Sequence, residues 1–215
     1  MSELNKRLST SLILGLIFFF SFVNDIILIF VLLIIFFQLF FEFYSIIVKI
    51  FSKKKKSIIF FVLILILIYL LTFVLCVAIN FSDKQNNNFV VLTMIISICI
   101  ASDIGGYLFG KIFKGKKLTK ISPKKTYSGL VGAYSLSIFF PTLIFNNFFS
   151  LYYIIMFSII VSTVSQSGDL FISYLKRKAK IKDTGKFLPG HGGLLDRLDG
   201  IIFSIPLGLT INFYI

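Results

Sequence analysis

Long uninterrupted apolar runs dominate this sequence, and they restrict the chain to folds that a hydrocarbon environment allows. Of its 215 residues, 57% are hydrophobic and 28 are Phe, well above the roughly 45–50% apolar content of soluble domains. A helix of about 20 residues crosses a hydrocarbon core about 30 Å thick. Helices satisfy their own backbone hydrogen bonds in lipid, and the runs lack the alternation of a transmembrane barrel. The sequence therefore predicts an all-α, polytopic membrane protein.

Seven of these runs are long enough to be transmembrane helices. They lie near residues 8–23, 26–47, 57–79, 89–109, 127–146, 151–172 and 200–215. If the amino terminus is cytoplasmic, the lysine-rich segments between the runs fall on the cytoplasmic side and only Lys84 falls outside, as the positive-inside rule requires. We therefore expect a multi-pass protein of the inner (plasma) membrane with a cytoplasmic amino terminus. The first run lacks a small-residue cleavage site and is predicted to be an anchor.

The distribution of polar residues divides the chain into two parts. Residues 1–88 hold three runs with few polar groups, whereas residues 89–215 alternate apolar runs with polar segments on the predicted cytoplasmic side. Glu42, an acid well inside a run of the first part, is either functional or paired with a basic group at the cytoplasmic edge. The net charge is +13, and the basic residues that produce it border the predicted membrane spans. We therefore expect lipid and nucleotide phosphate as partners and no nucleic acid.

The first polar segment of the second part is SDIGGYLFGKIFKGKKLTKISPKKTYSG, residues 102–129. Asp103 is expected in or just under the headgroup region, followed by glycines that let a helix or a ligand approach the backbone. The SPKKT turn offers hydroxyl and ammonium donors to a phosphate. These donors are Ser122, Lys124, Lys125 and Thr126.

The second polar segment is SQSGDLFISYLKRKAKIKD, residues 165–183. Asp169, Ser173 and Lys176 follow one another at helical spacing and share one helix face. A carboxylate, a hydroxyl and a cation would then project together from the membrane surface. The alternative is that Asp169 is a buried salt-bridge partner without a further role.

The third polar segment is KDTGKFLPGHGGLLDRLDG, residues 182–200, which contains the single histidine of the chain, His191. Its PGHGG sequence favours turns with positive φ whose N–H groups can bind anions. Asp196 and Asp199 lie three residues apart on one helix face, with Arg197 turned away. Carboxylates beside an anion-binding loop suit magnesium bound to phosphate oxygens, while a single His without nearby Cys argues against zinc.

The three polar segments meet on one side of the membrane, whereas a transporter would bury such groups near the midplane. They also resemble the phosphatidate cytidylyltransferase (CDP-diacylglycerol synthase) family. Residues 173–199 carry S-x-x-K-R, K-D-x-G and P-G-H-G-G-x-x-D-R-x-D, and residues 103–129 carry D-x-G-G-Y, G-K and S-P-K-K-T-x-x-G. Departures from the family pattern include Gly106 where Ala is frequent and Tyr127 where Trp is usual.

The resemblance implies a reaction of CTP with phosphatidate that gives CDP-diacylglycerol and pyrophosphate, dependent on Mg2+ and located at the cytoplasmic face. Asp169 and Asp196 are the implied metal ligands, and with Lys176 and Arg177 they form the expected catalytic set. The implied nucleotide and phosphate contacts are Asp103, Ser122, Lys124, Lys125, Thr126, Ser173, Lys182, Asp183, His191, Gly192, Gly193, Arg197 and Asp199. Whether a second cation shares the metal site stays open.

Two other functions remain compatible with the residues. A CTP-dependent lipid kinase of the polyprenol type would transfer the γ-phosphate and would need a base for a neutral hydroxyl. A non-enzymatic lipid transporter would tolerate loss of the clustered aspartates. Small-residue patches on the spans would suit a homodimer.

Overall fold

The computed structural model describes residues 12, 15–16, 19–52, 56–82, 87–119, 121–185, 187 and 192–213. Throughout these residues the regular structure is helical, apart from an isolated bridge between Lys117 and Thr126. The helices are α1 Asp25–Ile50, α2 Lys56–Ser82, α3 Asn87–Phe113, α4 Tyr127–Phe145, α5 Leu151–Lys178, α6 Leu195–Leu198 and α7 Ile201–Asn212. The predicted all-α class is confirmed for this part of the chain.

Helices α1 to α5 are long and apolar enough to cross a membrane. They correspond to the predicted spans 26–47, 57–79, 89–109, 127–146 and 151–172, which are confirmed as helices of spanning length. The predicted span 200–215 corresponds to α7, an apolar helix of 12 residues that reaches only about 18 Å at 1.5 Å per residue. Half of the predicted span 8–23 lies outside the described residues.

The chain divides into two compact units, each assembled from separate stretches of sequence. The first unit contains residues 1–82 and 175–198, and the second contains residues 83–174 and 199–215. Helix α5 contributes its first 24 residues to the second unit and its last turn to the first. The predicted division into residues 1–88 and 89–215 rests on where polar residues fall in the sequence, and it stays a prediction.

In the first unit, α1 packs against α2 through apolar side chains. Leu39 and Ile46 of α1 and Leu70 of α2 are fully buried. Helix α1 begins after Asn24, whose Oδ1 accepts a hydrogen bond of 2.9 Å from the amide of Ile26, as a helix-capping side chain does. This packing fixes the helix that carries Glu42.

In the second unit, α3 and α4 approach closely along their glycines. A Cβ atom at Gly105 would lie 2.8 Å from the carbonyl carbon of Gly132 and 3.1 Å from Cα of Ala133. A Cβ atom at Gly132 would in turn lie 2.7 Å from the carbonyl oxygen of Gly105. The predicted role of these glycines in close helix approach is therefore confirmed at Gly105.

Candidate functional site

Asp196, in the first unit, is held by charged and backbone donors. Its Oδ1 accepts a hydrogen bond of 2.7 Å from Nζ of Lys176, and the two side chains are 11% and 13% exposed. Its Oδ2 accepts from the amides of Thr184 at 2.8 Å and Gly193 at 3.1 Å. Burial alone would raise the pKa of Asp196, but the lysine and the two amides outweigh it and lower the pKa below 3.8. Asp196 is therefore an anion at neutral pH.

Glu42 lies in the same unit and contacts the same segment. It is 4% exposed, although it belongs to the membrane-spanning helix α1. Oε1 accepts from Nε2 of Gln38 at 2.7 Å and from the amide of Leu194 at 2.9 Å. Oε2 accepts from Oγ1 of Thr184 at 2.5 Å and from the amide of Leu195 at 2.9 Å. Glu42 is thus joined to the third polar segment by neutral donors, which the sequence alone did not predict.

The glycines of the third segment fit closely around this carboxylate. A Cβ atom at Gly193 would collide with Oγ1 of Thr184 and lie 2.5 Å from Oε2 of Glu42, and one at Gly185 would lie 3.0 Å from Oε1. Gly192 has a φ of +88°, so the predicted use of positive φ in this segment is confirmed at that residue. Only glycine lets the backbone approach Glu42 this closely.

The other predicted residues of the first unit lie at its surface. Arg177, Lys182, Asp183 and Arg197 are exposed, so their charged groups are accessible to a ligand. His191 lies outside the described residues, and its predicted role stays a prediction.

Asp169 is the corresponding carboxylate of the second unit. Its Oδ2 forms an ion pair with Nζ of Lys125 at 2.5 Å, and the two side chains are 27% and 26% exposed. Its Oδ1 accepts a hydrogen bond of 3.3 Å from Oγ of Ser173. The predicted common face of Asp169 and Ser173 is confirmed, and the SPKKT turn supplies the cation that meets this carboxylate.

The second unit contains two further acidic residues, Asp103 and Asp199. Asp103 interacts electrostatically with both Asp169 and Lys125. The carbonyl oxygen of Asp199 lies so close to Gly168 that a Cβ atom there would be 2.9 Å away, and Gly168 directly precedes Asp169 in helix α5. The second unit therefore places the Asp199 backbone beside the helix turn that carries Asp169.

The remaining residues of the SPKKT turn have structural partners as well. The amide of Ser122 donates to Oγ1 of Thr119 at 3.2 Å, which closes the turn. Thr126 caps helix α4, because its Oγ1 accepts from the amide of Gly129 at 3.1 Å. Lys124 is exposed. The turn therefore has a defined shape, with Lys124 accessible to a ligand.

Mg2+ binds hard oxygen ligands, commonly one or two carboxylates supplemented by water and substrate phosphate. The carboxylates of Asp169 and Asp196 each face a lysine ammonium, which marks positions where a cation is favoured. Among the described residues, no cluster of three or more His, Cys, Asp and Glu side chains forms a complete metal cage. Each of these carboxylates is, by itself, an oxygen ligand of the kind that Mg2+ takes when water completes its coordination shell.

Fold and site together define a helical protein with five described helices of membrane-spanning length and lysine-paired carboxylates in its polar segments. The family model described as "Cytidylyltransferase family" matches residues 1–214, and the chain belongs to this family. The predicted family resemblance is thereby confirmed.

Several curated bacterial proteins are similar to this chain, and each is named phosphatidate cytidylyltransferase. The one from Rickettsia typhi is 42% identical over 145 residues, which are 63% of this chain and 64% of the relative. The one from Helicobacter pylori strain 26695 is 39% identical over 127 residues, 58% of this chain and 47% of the relative. The one from Staphylococcus saprophyticus is 43% identical over 110 residues, 49% of this chain and 42% of the relative. The chain spans less than two thirds of the length of these relatives.

Proposed function

We propose that this protein is a phosphatidate cytidylyltransferase, which converts CTP and phosphatidate into CDP-diacylglycerol and pyrophosphate. The observation that carries the proposal is the pairing of Asp196 with Lys176 within the segment that bears the family signature. The name shared by the relatives from three bacterial genera supports the same reaction.

In the proposed reaction, a phosphate oxygen of phosphatidate attacks the α-phosphorus of CTP, and the bond to the β-phosphate breaks. The nucleophile is already an anion, so no general base is required, and the main barrier is repulsion between two polyanions. Lys125, Lys176 and Arg177 are proposed to offset this negative charge. Lys124 and the Ser122 and Thr126 hydroxyls are proposed to bind phosphate with them.

Asp169 and Asp196 are proposed to hold Mg2+, which would neutralise phosphate oxygens as a Lewis acid. At Asp196, Oδ2 already accepts from two backbone amides, so Oδ1, which Lys176 contacts, is the oxygen available to a cation. Asp103 and Asp199 are proposed to complete the carboxylate environment. Mg2+ bound at Asp196 would therefore have to displace the Lys176 ammonium from Oδ1.

We also propose the finer membrane arrangement that the charge distribution predicts. It has seven spans, a cytoplasmic amino terminus and a site at the cytoplasmic face of the inner membrane. Helices α1 to α5, which are long and apolar enough to cross a membrane, support a multi-pass protein, and the bacterial relatives support the inner membrane. A homodimer is compatible with the small-residue surfaces of the spans.

The proposal is tested by following separately labelled phosphates of CTP in detergent-solubilised protein supplied with phosphatidate. Label at the α-phosphate should enter the lipid product, and label at the γ-phosphate should leave as pyrophosphate. Transfer of γ-label to a lipid alcohol would instead identify the lipid kinase. Absence of any CTP-dependent product would favour the transporter.

Asp169→Asn tests the site within the same assay. We expect magnesium-dependent formation of CDP-diacylglycerol to fall by a factor of 100 or more, on the order of a lost electrostatic contact to a transferring phosphate. Asp25→Asn, which removes a carboxylate at the start of α1, is the matched control and should keep normal turnover. Near-normal turnover of Asp169→Asn would show that Asp169 is not part of the site.

A further inference from the structure

Glu42 is a buried acid that has no task in the proposed chemistry. A carboxylate inside a membrane-spanning helix is costly unless its oxygens are fully hydrogen-bonded. Here each oxygen accepts two hydrogen bonds, with donors from Gln38, Thr184, Leu194 and Leu195. Glu42 itself is 4% exposed, so these hydrogen bonds satisfy a carboxylate that is buried from water.

Three of these four donors belong to one segment. Thr184 precedes the P-G-H-G sequence at residues 189–192, and Leu194 and Leu195 follow it. Glu42 therefore contacts the chain on both sides of this motif, through the Thr184 hydroxyl before it and the Leu194 and Leu195 amides after it, from a helix more than 140 residues away in sequence. An apolar side chain at this position would leave two buried amides without an acceptor.

Thr184 connects Glu42 to the proposed site. Its hydroxyl donates to Oε2 of Glu42, while its amide donates to Oδ2 of Asp196 at 2.8 Å. A change at Glu42 thus reaches Asp196 through a single residue. Asp196 in turn contacts Lys176 through its other oxygen.

We propose that Glu42 is a positioning residue for the proposed cytidylyl transfer: it fixes Thr184 and the Leu194–Leu195 backbone, and thereby the orientation of Asp196. This inference rests on the proposed function. In this role, the amino-terminal part of the chain helps to shape the site. Glu42 touches neither substrate nor metal in this role.

The test compares Glu42→Gln with Ile46→Val in the full-length protein. Glutamine keeps the size of the side chain but presents an N–H group toward donors. Ile46 is buried one helical turn further along α1, so its small truncation controls for general weakening of that helix. Two readouts are followed: the magnesium concentration that gives half-maximal turnover, and hydrogen exchange of the peptide that contains Leu194 and Leu195.

In Glu42→Gln we expect half-maximal turnover to require about tenfold or more magnesium, as when a group supporting a metal ligand is removed. At least one of the Leu194 and Leu195 amides should exchange about tenfold faster, because glutamine keeps only one oxygen acceptor and turns an N–H group toward the other amide. Ile46→Val should change neither readout. A purely structural effect would lower the amount of active protein and leave the magnesium midpoint unchanged.

Thr184 variants keep the inference testable if Glu42→Gln does not fold. Thr184→Val removes the hydroxyl that contacts both Oε2 of Glu42 and, at 3.1 Å, Oδ2 of Asp196. It should shift the magnesium midpoint in the same direction, whereas Thr184→Ser should restore it. When both residues are changed, the two effects should be less than additive, because they act on one connection. Additive effects, or a normal midpoint in Thr184→Val, would overturn the inference.

The outcomes also separate this inference from the proposed function. If the wild-type protein forms no CDP-diacylglycerol, the proposed function fails, and so does the catalytic part of this inference. Hydrogen exchange then still decides whether Glu42 holds the segment. If the wild type is active and Glu42→Gln shows faster exchange with a normal magnesium midpoint, only the positioning role is refuted.

Discussion

Replacing Gly105 by Ala should destabilise the second unit, whereas the same change at the adjacent Gly106 should not. At Gly105 the added Cβ atom would lie 2.8 Å from the carbonyl carbon of Gly132 and closer still to its oxygen. At Gly106 the nearest atom would be 3.8 Å away, an ordinary van der Waals contact. The two substitutions are chemically identical and occur on one helix, so they differ only in what the methyl group meets.

The magnitude follows from the geometry of the α3–α4 contact. Backbone atoms cannot move aside, so the two helices must separate by at least about half an ångström, a gap that forfeits a quarter or more of each affected dispersion contact. Overpacking of this kind lowers the free energy of unfolding by about 1–3 kcal/mol. The better helix propensity of Ala offsets up to about 1 kcal/mol of this loss. We expect Gly105→Ala to lose about 1–2 kcal/mol in net stability and Gly106→Ala to gain up to about 1 kcal/mol.

Thermal unfolding in detergent can be followed with a thiol-reactive fluorophore. Cys99 of α3 is 1% exposed and becomes reactive when its unit opens, and Cys76→Ser removes the other thiol. For a chain of this size 1 kcal/mol shifts the midpoint by about 2–4 °C, so Gly105→Ala should unfold about 2–8 °C earlier. Equal midpoints for the two variants would refute the close α3–α4 approach at Gly105.

Three further predictions concern charge and backbone. The pKa of Asp196 is lowered below 3.8, so its contribution to stability is complete above pH 3.8 and is lost as the pH falls through the lower pKa of the folded state. Below about pH 4 the thermal midpoint should therefore fall in the wild type and fall less in Asp196→Asn. Lys125→Met should cost about 1 kcal/mol, since its ion pair with Asp169 is about a quarter exposed, and the exposed Lys124→Met should leave the thermal midpoint unchanged. Lys180 has a φ of +57°, which costs a non-glycine residue about 1 kcal/mol. Lys180→Gly should therefore raise the midpoint by about 2–4 °C, and Lys180→Ala should not.

Local features of this molecule could be predicted from its sequence. The apolar runs determine helices α1 to α5 because no other backbone arrangement satisfies its hydrogen bonds in lipid. The four-residue spacing of Asp169 and Ser173 is enough to predict their hydrogen bond on one helix face. The positive φ of Gly192 likewise follows from the composition of its own turn. Each of these depends on residues close together in the chain.

Contacts between distant segments could not be predicted in the same way. Helical spacing grouped Lys176 with Asp169, but the ammonium of Lys176 meets Asp196, and the cation of Asp169 is Lys125. Nothing in a linear pattern specifies which lysine reaches which carboxylate. Glu42 was recognisable as an unusual acid in an apolar run, yet its partners depend on how α1 packs within its unit.

Each lysine–carboxylate pair also affects the stability of the unit that contains it. A surplus of partly buried ammonium groups would be costly because each charge loses its hydration. Asp169 offsets this cost for Lys125 in the second unit, and Asp196 does so for Lys176 in the first. Under the proposed function, a cation bound at one of these carboxylates would free the lysine paired with it to bind a phosphate oxygen.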